Sequence, residues 1–268
     1  MLKLNKFNYT KSELNKVWNL INIKKNDNIY ITGNISFLGK MKETDICKNF
    51  YQSLKKAIGN KGSIFFPTHT WSLISKKIPF CVETSKSESG VLTEYLRKQK
   101  NSVRQMHPFA SVSCIGPCAN LIKKSNNIHA YGKGSPFEKI IKLNSKFISI
   151  GLKPNFTCSQ IHQIEFEKNV PYRYIKEFKK KINYKNKIIE KKFCLHVLYK
   201  NIKLKHRDNN EKIFKNFLKY NKIYSAKIGK GQIYSYDLNS FYKVTSKLMD
   251  QNIYCWLKSI PKIKPWTK

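Results

Sequence analysis

The fold is decided by the stretch from Asn28 to Phe66, which reads NIYITGNISFLGKMKETDICKNFYQSLKKAIGNKGSIFF. Its two ends, Asn28 to Thr32 (NIYIT) and Ser63 to Phe66 (SIFF), are short apolar runs that predict buried strands. Between them, apolar residues recur at helical spacing from Ile46 to Ile58, and Gly59 follows as a helix terminator. Because a strand, a helix and a strand form a βαβ unit, we expect parallel pairing through a right-handed crossover.

The alternation of helices and strands continues on both sides of this unit. Thr10-x-x-Glu13 is a capping box that predicts an amphipathic helix before the first strand. The elements predicted after the second strand are helix Gly90 to Lys98, strand Ser111 to Ile115, a short helix from Pro117, a Pro-started helix from Ser135, strand Phe147 to Leu152, and a helix capped by Thr157 that ends near Asn169. Beyond Lys176 we expect lysine-rich turns, then β-like segments at Phe193 to Tyr199, Ile223 to Ile228 and Gln232 to Tyr236, and a helix after Asp237.

These elements predict an α/β fold with a mainly parallel central sheet flanked by helices and a β-rich C-terminal portion packed on it. The length of 268 residues fits a single domain. Its core is expected at about residues 1–176 and its C-terminal portion at about 177–268.

The composition is dominated by positive charge: 52 Lys and Arg against 16 Asp and Glu give a formal net charge of +36. Basic surfaces neutralise nucleic-acid phosphates. However, the arginines, which suit base recognition, are only Arg97, Arg104, Arg173 and Arg207, and the lysines are spread along the whole chain. Nucleic acid is therefore not the expected partner, and the positive field favours an anionic small molecule.

Other features of the sequence bear on where the protein works. No run of about 18 apolar residues is present, so no transmembrane segment is predicted, and the first ten residues lack a signal-peptide core. The seven cysteines form no C-x-x-C pair. We expect a cytoplasmic protein, and a homodimer is compatible with the sequence.

Two local patterns could carry chemistry. The loop from Thr32 to Gly39 follows a predicted strand, where α/β proteins bind ligands, and its amides and hydroxyls could hold phosphate. It matches neither the dinucleotide nor the ATP fingerprint, so an ordinary turn is the alternative. His162 and Glu165 lie three residues apart in a predicted helix and so share one face. An imidazole beside a carboxylate is a general-base arrangement, with a purely structural pair as the alternative.

A metal site is a further alternative for the same helix. It would combine Cys158 and His162 with His107 or His129, but their spacing matches no zinc pattern. No metal is therefore expected.

The other histidines and aromatics give weaker signals. His69 and His107 lie in loops beside strands, and Trp71 and Tyr172 could line a pocket or pack in the core. His196 and His206 are interpreted as structural or exposed.

Five segments, in this order, resemble the aminoglycoside 3-N-acetyltransferase family. They are GSIFFPTHTW (62–71), SESGVLTEYLRKQKNSVRQMHPFASVSCIGPCA (87–119), YGKGSP (131–136), FISIGL (147–152) and TCSQIHQIE (157–165). Similar family features are Pro-Thr-x-Thr after a strand, Arg-x-x-His-Pro-x-x-Ser and Gly-x-Gly-Ser-Pro. The resemblance covers roughly Asn28 to Tyr174.

The resemblance implies an acetyl-CoA-dependent N-acyltransferase with a fold distinct from the small acetyltransferases. Its catalytic residues here would be His162, as general base, and Glu165. The candidates for binding CoA are Thr32, Gly33, Asn34, Ile35, Ser36, Thr68, Arg104, His107 and Ser111. The candidates for binding the acceptor are His69, Trp71 and Tyr172. The family loop usually reads His-Ser-Ser-Leu, whereas this chain has Thr32-Gly33-Asn34-Ile35.

The chemical class of the acceptor can be narrowed from the last segment of the resemblance and from the net positive charge of the chain. The segment VPYRYIKEF (170–178) resembles family members associated with cell-surface polysaccharide synthesis. A strongly basic chain repels polycations and suits a nucleotide-linked amino sugar, whose diphosphate is anionic. We therefore expect acetyl transfer to the amine of such a sugar. The alternatives are an aminoglycoside resistance enzyme, a lysine-rich nucleic-acid-binding protein, and a family member that binds CoA or sugar without catalysis.

Overall fold

The computed structural model describes residues 7–125, 128–184, 186–205, 210–260, 266 and 268. Its strands are β1 Ile29–Gly33, β2 Ile64–Pro67, β3 Phe80–Cys81, β4 Ser102–Arg104, β5 Val112–Ile115, β6 Lys146–Ile150, β7 Arg173–Tyr184, β8 Lys187–Leu198, β9 Tyr224–Ile228 and β10 Gly231–Asp237. Its helices are α1 Lys11–Leu20, α2 Ile46–Ile58, α3 Val91–Arg97, α4 Ala119–Lys123, α5 Pro136–Lys142, α6 Ile161–Glu167, α7 Lys200–Lys205, α8 Asn210–Phe217 and α9 Leu238–Gln251. His206, which is interpreted from the sequence as structural or exposed, lies outside the described residues.

The centre of the molecule is a seven-stranded sheet in the order β4-β5-β2-β1-β6-β10-β9. β1 pairs in parallel with β2, as the βαβ unit predicts, and also with β6. The strands added at the two sides of this parallel centre are antiparallel. The predicted α/β fold with a β-rich C-terminal portion is confirmed, and β9 and β10 extend the central sheet itself. β3, β7 and β8 form a second sheet of three strands.

Each face of the central sheet is covered by its own apolar cluster. Ile29 and Ile31 of β1 pack into one cluster with Trp18, while Tyr30 packs into the other. Side chains alternate between the two faces of a strand, which explains why near-continuous apolar runs are needed in the central strands. Tyr30 stacks on Phe147 with ring centroids 5.6 Å apart. The parallel centre is therefore buried on both sides.

No helix of the described residues is long and apolar enough to cross a bilayer.

The predicted helix starts are set by side-chain caps in two cases. The Thr10 hydroxyl accepts the Glu13 amide at 3.2 Å, and the Glu13 carboxylate accepts the Thr10 amide at 2.7 Å. The Ser135 hydroxyl accepts the Glu138 amide at 3.2 Å, so α5 begins as expected. The Glu138 carboxylate, however, accepts from the amide of Gly134.

The structure corrects the predicted start of α6. Thr157 does not cap this helix, because its hydroxyl is hydrogen-bonded to the Ser149 hydroxyl at 2.9 Å. A 3₁₀ turn at Pro154–Phe156 intervenes, and α6 begins at Ile161 after Gln160. Cys158 therefore precedes the helix.

The structure also corrects the prediction of lysine-rich turns after Lys176. This segment belongs to the twelve-residue strand β7, which pairs along its length with β8. A half-buried strand is recognised by alternating apolar and polar residues. Lys180 obscures this alternation in β7, because it is a buried lysine on the inward face between Phe178 and Ile182. Its ammonium donates to the carbonyl of Leu73 at 2.7 Å, so the charge is solvated by backbone.

Candidate active site

A cavity of about 640 Å³ lies at the carboxyl ends of the parallel strands β1, β2 and β6. This edge of an α/β sheet is where ligands commonly bind. Its lining from the central sheet and the loops that follow the strands comprises Tyr30, Thr32, Gly33, Pro67, His69, Trp71, Glu88, Ser89, Tyr131, Leu152, Asn155, Phe156, Thr157, Cys158 and Ser159. Its lining from α6, β7, β8 and the C-terminal segment comprises Ile161, His162, Arg173, Leu195, His196, Val197, Leu198 and Trp256.

His162 and Glu165 form a close pair in the wall of this cavity. The Nδ1 atom of His162 lies 2.6 Å from the Glu165 Oε2 atom. The His162 side chain is 28% exposed and lines the cavity, whereas the Glu165 side chain is completely buried behind it. The carboxylate can therefore orient the imidazole, but it cannot reach an acceptor amine. The i, i+3 spacing on α6 produces this contact, as the sequence predicts.

Glu165 stays ionised although it is buried. Burial by itself raises the pKa of this carboxyl group, but the charge of Arg173 and the hydrogen bond with His162 outweigh it and lower the pKa to about 2. Arg173 Nε lies 2.9 Å from Glu165 Oε1. A carboxylate that accepts the Nδ1 proton leaves the other ring nitrogen, Nε2, unprotonated on a side chain that lines the cavity. The pair has the arrangement of a general base.

Two candidate acceptor-binding residues, His69 and Trp71, line the same cavity. Their rings pack together with centroids 5.0 Å apart. The His69 amide donates to the Ser89 hydroxyl at 2.9 Å, which joins the end of β2 to the loop before α3. Burial, together with nearby basic groups that include Arg104, lowers the pKa of His69 to about 3, so this imidazole is neutral at pH 7.

The loop from Thr32 to Ser36 faces the start of α3. Gly33, Asn34 and Ile35 share a narrow crevice with residues 89–93, and Thr32 and Gly33 also line the main cavity. The Asn34 side chain accepts the Ser36 amide at 3.0 Å and the Ser36 hydroxyl at 2.7 Å, while Ile35 is buried. The loop is therefore held by its own hydrogen bonds beside the cavity.

Four other candidate CoA-binding residues, Thr68, Arg104, His107 and Ser111, lie inside the protein instead. Arg104 Nε donates to the Ser111 hydroxyl at 2.9 Å, and this hydroxyl donates to the Thr68 carbonyl at 2.7 Å. All four are buried and none lines the cavity. This network ties β2 to β4 and β5 behind the site.

Tyr172, the remaining candidate, is also completely buried. Its ring stacks on Trp256 with an interplanar angle of 19°, and Trp256 lines the cavity. Tyr172 therefore supports the cavity wall from behind.

A family model described as aminoglycoside 3-N-acetyltransferase matches residues 33–250. The chain belongs to this family. The match extends the resemblance from the α/β core through β9, β10 and α9.

Among curated relatives, aminoglycoside N(3)-acetyltransferase III of Acinetobacter baumannii is 31% identical over 83 residues, which are 31% of this chain and 29% of the relative. A protein of the same name from a Salmonella species is 30% identical over 83 residues, again 29% of its length. These alignments thus span less than a third of each relative.

Among solved structures, that of YokD from Bacillus subtilis superposes with a TM-score of 0.76 and 16% identity over 95% of this chain and 97% of that chain. The structure of AAC-IIIb in a binary complex with CoASH superposes with a TM-score of 0.76 and 18% identity over 94% of this chain and 99% of that chain. The structure of sisomicin-bound AAC-VIa superposes with a TM-score of 0.77 and 17% identity over 91% of this chain and 98% of that chain. At these identities the likeness establishes the family fold.

Sequence reasoning missed several groups that this family member brings to the site. Arg173 follows Glu165 by eight residues, within the segment VPYRYIKEF (170–178), so its nearness to Glu165 had a signal in the sequence. Trp256 had none, because it is more than 80 residues away and reaches His162 only through the fold, with ring centroids 5.8 Å apart. The alternative metal grouping of Cys158, His162 and more distant histidines does not form, since the described residues contain no cluster of three or more His, Cys, Asp or Glu that could hold a metal ion.

We predict that acid destabilises this protein from about pH 6.5 downward, before most carboxylates titrate. The buried His107 accepts the amides of Phe109 and Ala110 through Nδ1, and burial lowers the pKa of its ring to about 4. Burial likewise lowers the pKa values of His69 and His196 to about 3 and 4. Between these values and about 6.5 the unfolded chain binds more protons, so the free energy of unfolding falls by on the order of 1 kcal/mol per histidine per pH unit.

Thermal unfolding between pH 7.5 and 5 measures this effect. His107→Asn keeps a hydrogen-bond acceptor near Nδ1 but cannot titrate, so its melting temperature should depend less on pH. If the melting temperature depends on pH equally steeply in the native chain and in His107→Asn, the prediction that His107 contributes to the acid destabilisation is wrong.

Proposed function

We propose that this chain is an acetyl-CoA-dependent N-acetyltransferase whose acceptor is an amine of an aminoglycoside-type amino sugar. The observation that carries the proposal is the His162–Glu165 pair, whose imidazole lines a cavity at the carboxyl ends of the parallel strands. Membership of the aminoglycoside 3-N-acetyltransferase family supports it.

The acceptor class is supported by what the compared proteins bind. One structure of the same fold holds CoASH and another holds sisomicin. These ligands favour the aminoglycoside alternative over the nucleotide-linked amino sugar expected from the charge. Aromatic side chains at the cavity, such as Trp71 and Phe156, offer flat surfaces suited to sugar rings.

The loop of residues 33–36 fits a ligand that carries phosphate groups. Gly33 packs closely against the Ile150 backbone because it has no side chain, and Ser36 is exposed within a 3₁₀ turn at Ile35–Leu38. The net charge of +36 draws anions toward the surface. In this proposal, CoA supplies the acetyl group as a thioester, and the loop holds its phosphate-bearing end.

The chemistry assigned to the side chains is proton transfer. As the acceptor nitrogen forms the new C–N bond, Nε2 of His162 takes the proton that the amine loses. When the C–S bond breaks, the same imidazole returns this proton to the departing sulfur. Glu165 stabilises the ring while it carries the extra charge. Holding the two reactants together supplies most of the acceleration, because effective molarities can reach about 10⁵ M or more.

We predict that acetyl-CoA raises the melting temperature of the protein. A ligand at about 100 times its dissociation constant stabilises the native state by about 2.7 kcal/mol. For a chain of this size that corresponds to a rise of roughly 5 °C. Release of CoA thiol in the presence of sisomicin measures turnover in the same preparation, with the thermal shift repeated on His162→Gln as a binding control.

The outcomes of this experiment separate the candidate functions. A thermal shift with turnover supports the proposal. A shift without turnover on any amino sugar favours a binding protein, and tight, salt-sensitive DNA binding without a shift favours the nucleic-acid alternative. Either of the last two results would contradict the proposed function.

A further inference from the structure

Arg173 completes a chain of three side chains that ends at the cavity. It is the first residue of β7, and its side chain is only 6% exposed. Its Nε lies 2.9 Å from Glu165 Oε1, while the other carboxylate oxygen of Glu165 contacts His162. Its Nη1 donates to the His196 carbonyl at 3.0 Å, and the guanidinium stacks over Trp256 at 5.2 Å. The guanidinium is therefore fixed from three directions.

These contacts decide which nitrogen of His162 carries the proton. Arg173 Nη2 and Glu165 Oε2 both approach Nδ1, at 3.2 Å and 2.6 Å. If Nδ1 accepted from Arg173, its lone pair would face an ionised carboxylate oxygen at 2.6 Å, which is repulsive. If Nδ1 carries the proton, the short contact is a charge-assisted hydrogen bond. The ionised state of Glu165 thus selects the tautomer whose Nε2 is unprotonated.

We propose that Arg173 is a positioning residue that keeps Glu165 ionised and thereby holds His162 in the tautomer whose Nε2 can accept a proton. The proposal deepens the proposed acetyl transfer and, for its kinetic consequences, rests on it. Arg173 acts through Glu165 and takes no part in bond making.

Other titratable groups near this chain do not supply the charge. The groups that face the His162 ring, besides Glu165 and Arg173, are Tyr131, His69 and His196. Burial raises the pKa of Tyr131 and lowers the pKa values of the two histidines to about 3 and 4, so all three are neutral at pH 7. Tyr172 and Cys255 face Glu165, and burial raises both pKa values as well. Among the described residues, Arg173 is thus the cation that compensates the buried carboxylate.

Removing the guanidinium should reverse the tautomer. In Arg173→Met, the burial of Glu165 is no longer offset by the adjacent cation, and complete burial raises the pKa of a carboxyl group by up to about 3–5 units above its ordinary value, which should carry it past pH 7. A protonated Glu165 donates to Nδ1 instead of accepting from it. The ring proton then moves to Nε2, which can no longer accept one.

The first test uses ¹⁵N-histidine spectra of the free protein and needs no turnover. In the native chain, His162, assigned by comparison with His162→Gln, should show a protonated Nδ1 and an unprotonated Nε2 at pH 7. Arg173→Met should exchange this pattern and recover it as the pH is raised, and Arg173→Lys should keep the native pattern. Arg97→Met is a matched control, since Arg97 is also 6% exposed and its Nε lies 2.8 Å from Glu94.

The second test is kinetic. For Arg173→Met we expect kcat to fall by roughly 10 to 100-fold at pH 7, KM for acetyl-CoA to change little, and the acidic limb of the pH profile to move upward. In a Glu165→Gln background, Arg173→Met should change kcat less than about threefold, because the effect is routed through Glu165.

Three results would overturn the proposal. They are a native ¹⁵N pattern in Arg173→Met over the whole pH range, a loss of kcat with an unmoved pH profile, and a full additional loss in the Glu165→Gln background. If Arg173→Met does not fold, Arg173→Gln provides the neutral side chain for the same measurements. If the native chain shows no turnover but Arg173→Met still exchanges the tautomer of His162, the proposed function is contradicted and this inference stands.

Discussion

His162→Gln is expected to lower kcat by roughly 10² to 10⁴-fold while leaving acetyl-CoA affinity within a few-fold of the native value. This is the range that a positioned general base contributes. Gln has a volume close to that of His and can still contact Glu165, so the cavity is preserved while the basic nitrogen is lost. Steady-state kinetics with acetyl-CoA and sisomicin, together with the thermal shift, measure both quantities.

His196→Gln is the matched control for this change. His196 also lines the cavity, but within the described part of the chain its ring forms no hydrogen bond or ion pair with a carboxylate, and burial keeps it neutral. We expect less than about a tenfold loss of kcat for this variant. If His162→Gln kept full turnover, or if the two variants lost the same amount, His162 would not be the base.

The same losses have a defined pH dependence. Glu165 has a pKa of about 2 in the native chain, so its charge persists through the whole range in which enzymes of this kind are assayed. The acidic limb of the native kcat profile should therefore not report Glu165.

The parts of the structure that the sequence predicted well are those with local signals. The βαβ unit followed from apolar runs and helical spacing between Asn28 and Phe66, and β1 and β2 pair as expected. The His162–Glu165 contact followed from three-residue spacing on one helix. Such features depend on neighbours within a few positions along the chain, so no tertiary information is needed.

The parts that could not be predicted depend on burial and on distant pairing. Arg104 and His107 have the residue types of a binding site, but the fold places them behind β2, where they satisfy backbone groups. Lys180 lies on the inward face of β7, which breaks the expected alternation of apolar and polar residues. Trp256 reaches the cavity from the end of the chain. None of these placements has a local pattern.

Gly33→Ala is expected to be among the most damaging single changes at the site, lowering the free energy of unfolding by about 3 kcal/mol or more. Gly33 has φ of +112°, which L side chains rarely adopt, and such strain costs on the order of 1–3 kcal/mol. An added Cβ would also meet the backbone of Ile150, lying 2.6 Å from its nitrogen and closer still to its oxygen. Because β1 and β6 are paired there, that backbone cannot yield without breaking the sheet beside the loop.

Gly59→Ala separates the two causes. Gly59 ends α2 with φ of +67°, yet an added Cβ there meets nothing within 4 Å, so only the backbone cost remains. We expect about 1 kcal/mol for this variant. Melting temperatures should fall by roughly 2 °C for Gly59→Ala and by at least 6 °C for Gly33→Ala. In Gly33→Ala, the stabilisation by acetyl-CoA should also shrink, because the displaced loop is the one assigned to its phosphates. Equal losses in the two variants would show that the close approach of β1 to β6 is not what requires glycine at position 33.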